Sequence, residues 1–194
     1  MGYNSFYNFP TVEAMRSTVD YFAAHLKPLG YTYMNLDCCY KGVSGQSQGS
    51  DFLDFANYVH GKGMKAGGYA VPFGIFDSLS TPVPGAPAYT FQDIALKDDN
   101  GNPIQTYINT YIVDATHPAA QTYLRYLMNT YYVNAGIDYV KLDFLDFGMF
   151  EGNHFDASKN GIQAYRIGMK IIRDALLAAP QDIFIKYEYT IYVY

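Results

Sequence analysis

The sequence predicts an α/β fold of successive parallel βα units. Three observations carry this: short β-prone runs alternate with amphipathic helical stretches, the first three strand starts lie roughly thirty residues apart, and three apolar strands close on an acid. Residues 2–7 read as the first strand, and 11–29 as a helix whose Val12, Met15, Val19, Phe22, Ala23 and Leu26 recur at helical spacing until Gly30 stops it. The second strand, 31–37, leads through the Gly/Ser-rich loop 42–50 into a helix carrying Phe52, Phe55, Ala56 and Val59, ended by Gly61 and Gly63. Residues 65–71 form the third strand. The next helix has Thr116 as its predicted N-cap, Pro118 at its first position, and a stripe of Tyr123, Leu127, Met128 and Tyr131. The fourth strand, 137–144, is followed by a helix over 161–178 that places Tyr165, Met169, Ile172 and Leu176 on one face, and then by Pro180 and the fifth strand, 183–188.

One connection breaks the rhythm. Residues 72–117, with PVPGAP and DDNGNP, far exceed the usual βα loop of about 2–6 residues. Such a segment forms a lid or substrate wall, or else a small inserted hairpin or an oligomer contact.

Composition narrows the function classes. With 49% hydrophobic and 16% charged residues, the 194-residue chain has enough apolar material for one compact domain spanning 1–194. A net charge of −5 and no basic cluster argue against nucleic acid and against an anionic membrane, and favour a neutral substrate. No apolar run approaches the roughly 20 residues of a membrane span, and the opening MGYNSFYNFP lacks a signal-peptide pattern, so localisation stays open. Cys38 and Cys39 are adjacent, a spacing that cannot reach ordinary disulfide geometry without strain. The 21 Tyr and 13 Phe, with no Trp, supply either a Tyr-rich core or the aromatic lining of a cleft.

Chemistry is expected at the carboxyl ends of the strands, where parallel α/β folds bind ligands. YTYMNLD ends in Asp37, IDYVKLDF carries Asp143 near its end, and DIFIKYE ends in Glu188. Strand alternation puts Lys141 and Asp143 on one face, as it does Asn35 with Asp37 and Lys186 with Glu188. An ammonium beside Asp143 suits a nucleophilic carboxylate; the same pair would also serve as a buried ion pair that only fixes register.

GYNSFY, YMNLDCCY, HGKGMKAGGYAVP and YVKLDF resemble, in order and spacing, the successive motifs of retaining α-galactosidases of glycoside hydrolase families 27 and 36. The resemblance implies a (β/α)8 TIM barrel in which Asp143 attacks the sugar and Lys141 donates to its hydroxyls. It also makes Asp37 a sugar-binding acid, Tyr69 a cleft aromatic, Tyr3 the occupant of a usual Trp position, and Glu188 the fifth-strand acid. The chain departs from the pattern where the family's paired acids become Asp37-Cys38, and where Tyr40 and Tyr189 replace Trp. The acid/base, which the family draws from a sixth strand, has no counterpart in the five strands read here. Asp146 and Glu151 are read as loop residues.

The expected fold is therefore a partial (β/α)8 barrel of about five parallel strands. The expected function is retaining hydrolysis of terminal α-glycosidic bonds through a covalent intermediate on Asp143. The alternative is a truncated or engineered non-catalytic partial barrel that binds sugar or self-assembles, with a homo-oligomer completing the barrel. No cofactor is expected, and no metal: His25, His60, His117 and His154 are scattered, with capping or solvation expected of His60 and His117. GVSGQSQG matches neither phosphate-binding fingerprint, and there is no G-x-S-x-G elbow.

Overall fold

The computed structural model describes residues 1–6, 12–37 and 50–188. The loop 42–50, Cys38, Cys39, Tyr40 and Tyr189 lie outside the described residues, apart from the backbone of Ser50, where a helix starts. In chain order the strands and α-helices are β1 (Gly2–Asn4), α1 (Val12–Tyr21), β2 (Tyr33–Asn35), α2 (Ser50–Gly61), β3 (Lys65–Ala70), β4 (Gly74–Ile75), β5 (Pro82–Val83), β6 (Ala86–Thr90), α3 (Phe91–Ile94), β7 (Tyr111–Ile112), α4 (Pro118–Met128), β8 (Tyr139–Leu142), α5 (Gly161–Leu177) and β9 (Phe184–Tyr187). All five predicted strands are present, shorter than the sequence suggested.

The chain divides into two compact units. The first comprises Met1–Ala70, Thr130–Leu142 and Ala179–Tyr187, and holds a five-stranded sheet of order β1-β2-β3-β8-β9, parallel throughout. This is the strand arrangement of a partial (β/α)8 barrel. Alternation sorts its residues. Met34, Ala66, Ala70, Val140 and Leu142 are buried with Met15 and Val19 of α1 and Phe52, Phe55 and Val59 of α2. Tyr33, Asn35, Gly67, Tyr69, Tyr139, Lys141, Phe184 and Lys186 take the other face by their register. On that face the rings of Tyr139 and Phe184 stack at 5.9 Å, and a cavity of about 410 Å³ is lined by Met1, Gly2, Tyr33, Asn35, Tyr139 and Phe184. Gly67 is demanded here, since a Cβ would stand 1.9 Å from Asn35 Oδ1.

Two predicted helices continue past their regular turns, and the stripe shifts as a result. The first runs on through a π turn (Phe22–Leu26) and a 3-10 turn (Lys27–Leu29) to Gly30 in the left-handed region at φ 90°, where the sequence placed the stop. After α4 a π turn (Asn129–Val133) inserts a residue, so Tyr132 rather than Tyr131 is fully buried. Its hydroxyl donates to Tyr69 O at 2.7 Å. His60 is not a cap: its Nε2 lies 2.9 Å from Asp138 Oδ2, which also accepts from Ala66 N.

The second unit comprises Val71–Asn129, Asp143–Ala178 and, among the described residues, Glu188. The long segment 72–117 folds into two short antiparallel pairs, β4 with β7 and β5 with β6, plus α3, whose Thr90 and Asp93 form a capping box. A small inserted hairpin, one of the readings open from sequence, is thus part of it. Phe73, Ile75, Phe91, Ile94 and Leu96 are buried with Leu124 and Leu127 of α4 and Ile172 and Leu176 of α5. The buried stripe of α5 is Ala164, Gly168, Ile172, Ala175 and Leu176, while Tyr165 and Met169 are half-buried because Phe73 fills the space over Gly168. The N-cap of α4 is His117, not Thr116: His117 Nδ1 accepts from Ala119 N at 3.1 Å, while the Thr116 hydroxyl is turned to Asp114.

Candidate active site

In the first unit the parallel register aligns Tyr69 with Lys141 and Lys141 with Lys186, and by extension Asp37 with Tyr69. Asp37, only 2% exposed, is the centre of this row. Its Oδ2 accepts from Asn4 Nδ2 at 2.8 Å and from Lys141 Nζ at 3.4 Å, and its backbone N donates to Ser5 Oγ at 2.9 Å. The Lys141 ammonium also stands 5.1 Å from the ring centre of Tyr69 and 5.3 Å from that of Phe6, within cation–π range. A carboxylate, an ammonium and aromatic faces together are the groups that hold a polyhydroxylated ligand: acceptor, donor and stacking surface. The structure thus brings Asp37, Lys141 and Tyr69 together and adds Asn4 and Phe6, which the motif reading passed over.

Tyr3 is not brought to this cluster. It pairs in register with Met34, the buried outer row, and its ring meets Phe22 edge-on at 5.7 Å. Asn4 pairs with Asn35 instead, so period-two alternation makes Asn4 the side chain of β1 on the Asp37 face. That signal was available in the sequence; matching the motif letter by letter obscured it.

In the second unit Asp143 follows directly on β8 and is 8% exposed. Its Oδ1 accepts from Phe144 N at 2.9 Å, which fixes the carboxylate's orientation. Phe144 itself has φ 49° and ψ 41°, a left-handed conformation costing a bulky residue roughly 1–2 kcal/mol. Strain of this kind persists where surrounding structure enforces it. Here the ring of Phe144 stacks on Phe147 at 5.2 Å, and Tyr107 packs on both at 6.2 and 5.5 Å. Glu188 belongs to the same unit, its backbone carbonyl accepting from Leu145 N at 3.4 Å. Asp146 is partly buried, and Glu151 accepts from Gly161 N at 3.1 Å, a contact at the start of α5.

A buried polar group that sequence reading missed lies in the same unit. Asp114 accepts from Thr116 N (3.0 Å), Thr116 Oγ1 (2.8 Å), His154 Nδ1 (3.1 Å) and Phe155 N (2.6 Å). Nothing local marks it, because His154 and Phe155 are some forty residues away in sequence. Among the described residues, no group of three or more His, Cys, Asp or Glu is placed to hold a metal ion, and no helix is long and apolar enough to cross a membrane.

Comparison with solved structures decides the architecture. An α-galactosidase from Thermus thermophilus, in complex with p-nitrophenyl α-D-galactopyranoside, superposes at TM-score 0.64 over 96% of this chain and 37% of that one, at 21% identity. The five-stranded unit has the fold of part of the α-galactosidase barrel. A family 36 α-galactosidase from Geobacillus stearothermophilus gives 0.67 over 97% and 27% at 16% identity, and a family 27 β-L-arabinopyranosidase from the same organism gives 0.65 over 96% and 47% at 21%. In sequence, an α-galactosidase of rice (Oryza sativa subsp. japonica) is 33% identical over 108 residues, 48% of this chain. The match spans a quarter of that relative's length. No family model matches the chain.

Proposed function

We propose that the chain is the glycone-binding front of a retaining glycoside hydrolase acting on terminal α-galactose or a related sugar, with residues 1–194 forming part of its catalytic barrel. The observation that carries the reading is Asp143: a nearly buried carboxylate at the end of the fourth parallel strand, oriented by the backbone N–H of a strained Phe144. An Asp143 oxygen attacks the anomeric carbon, the bond to the leaving oxygen breaks, and that oxygen takes up a proton. Water then cleaves the glycosyl ester and restores the carboxylate. Asp37 accepts from sugar hydroxyls, Lys141 donates to them, Tyr69 supports the ring, and Glu188 adds a further acceptor. Tyr3 packs β1 against the π turn that follows α1.

No residue named here supplies the proton, so an activated aryl or fluoride leaving group is the right probe. Incubation with an activated 2-fluoro-α-galactosyl donor is expected to add one glycosyl mass to the peptide containing Asp143, and none in Asp143→Asn. Absence of both the adduct and any turnover of an aryl α-galactoside would reject the nucleophile assignment.

A second reading is a non-catalytic partial barrel that binds sugar or assembles with a second copy; the five-stranded sheet, in which β1 and β9 stand at the two ends among the described residues, supports it. A monodisperse dimer in solution, together with sugar binding and no adduct, would favour it.

A further inference from the structure

His117 occupies a place in the second unit that only a neutral imidazole suits. It is 7% exposed and is the N-cap of α4. Its Nδ1 accepts the Ala119 N–H at 3.1 Å, so in this state the ring's proton is on Nε2. Two rings flank it: Tyr89 of β6 at 5.3 Å and Phe155 at 4.4 Å, both edge-on. Those partners are themselves 44% and 62% exposed, so the imidazole anchors two surface aromatics from segments 66 residues apart in the numbering. A second fastening sits beside it: Asp114 accepts from Phe155 N, and Thr116 Oγ1 accepts from Asp156 N at 3.1 Å.

We propose that His117 is an acid-released latch: neutral, it caps α4 from its place between Tyr89 of the β5–β6 hairpin and Phe155; protonated, it gives up that cap. Protonation converts the accepting Nδ1 into a donor facing the Ala119 N–H. It also places a cation at the positive end of a helix. Every charged group near the ring must be weighed. Asp114 and Asp93 favour the cation, and Lys97 opposes it. Asp114 is already engaged by four donors, and Asp93 by Thr90. Burial outweighs them and lowers the pKa of His117 below the ordinary 6.5.

The sign follows from linkage. The unfolded or released imidazole binds the proton more tightly, so the latch is fully closed above the ordinary histidine value. It weakens as pH falls from there toward the lowered native value, where the loss levels off.

The test is the hydrogen-exchange protection of the Ala119 amide, followed by NMR on the full chain from about pH 7.5 to 4.5 together with the His117 ring nitrogen shifts. Protection should fall by up to about tenfold per pH unit between the ordinary histidine value and the lower ring midpoint read from the Nδ1 shift, and should level off below that midpoint. His117→Asn, whose side-chain oxygen caps without titrating, should abolish the pH response, and His154→Gln should preserve it. Protection that is independent of pH, a loss that continues undiminished below the ring midpoint, or a response that survives in His117→Asn overturns the latch. If His117→Asn does not fold, the levelling of wild-type protection at the ring midpoint decides: levelling there supports the latch, and a continued fall overturns it. This inference stands whether or not Asp143 is a nucleophile.

Discussion

Asp37 and Asp114 are both nearly inaccessible aspartates, 2% and 4% exposed, yet they are held in opposite ways. Asp114 is gripped by main chain: two of its four donors are backbone N–H groups, of Thr116 and Phe155, and a third is the hydroxyl of Thr116, two residues on. Asp37 receives side chains from other strands instead, the Asn4 amide at 2.8 Å and the Lys141 ammonium at 3.4 Å. Backbone donors cannot leave without undoing the loop. Side-chain donors, especially a long lysine, can be redirected toward a ligand. The contrast separates a carboxylate that builds structure from one suited to binding.

The same isosteric change at the two sites tests this directly, and the larger effect is expected at Asp114. Asp114→Asn turns one acceptor oxygen into an amide, so in either orientation an N–H meets a donor, at Phe155 N or at the Thr116 and His154 group. Leaving buried donors facing an N–H in place of an acceptor costs on the order of 3 kcal/mol. Urea unfolding should show a lower midpoint at unchanged slope. A change under about 1 kcal/mol would mean that the loop 153–156 does not depend on Asp114.

The sheet side of the comparison sharpens at Gly67. Replacing it by alanine drives a methyl to 1.9 Å from Asn35 Oδ1 and 2.7 Å from Tyr139 Cδ1, so Asn35 must leave its place under the Asp37 row. Overpacking of this kind costs about 1–3 kcal/mol. Because Asn35 lies on the same sheet face as Asp37, one layer below it, Gly67→Ala should weaken galactose binding as well as lower the unfolding midpoint; loss of stability with unaltered binding would separate Asn35 from the proposed site.

How far the sequence could be read depended on whether a signal was periodic. Strand order, the stop at Gly30 and the face shared by Lys141 and Asp143 rest on periods of 2 and 3.6 residues, and the first two reappear in the fold. Errors began where the period slips or a side chain has two suitors. One residue in the π turn exchanges Tyr131 for Tyr132, and Thr116, the better intrinsic cap, is taken by Asp114, leaving His117 to cap. Tyr3 was placed by motif rather than by face. The pairing of Asp114 with His154 has no periodic signature at all, so only tertiary structure reveals it.

The smallest expected stability effect belongs to Asp37→Asn, and it is the most informative. The amide keeps an oxygen for Asn4, and Lys141, on a flexible stem beside Tyr69 and Phe6, can reorient; the cost should be about 1 kcal/mol or less. Binding should respond differently, since a charged acceptor for sugar hydroxyls becomes a neutral one that is half donor. Charge-assisted hydrogen bonds are roughly twice as strong as neutral ones, so galactose affinity measured by NMR titration should fall by about tenfold or more. If Asp37→Asn instead unfolds the chain as readily as Asp114→Asn while leaving sugar binding intact, then Asp37 is a structural carboxylate. The row Asn4–Asp37–Tyr69–Lys141 would in that case be a core feature of the sheet with no part in binding.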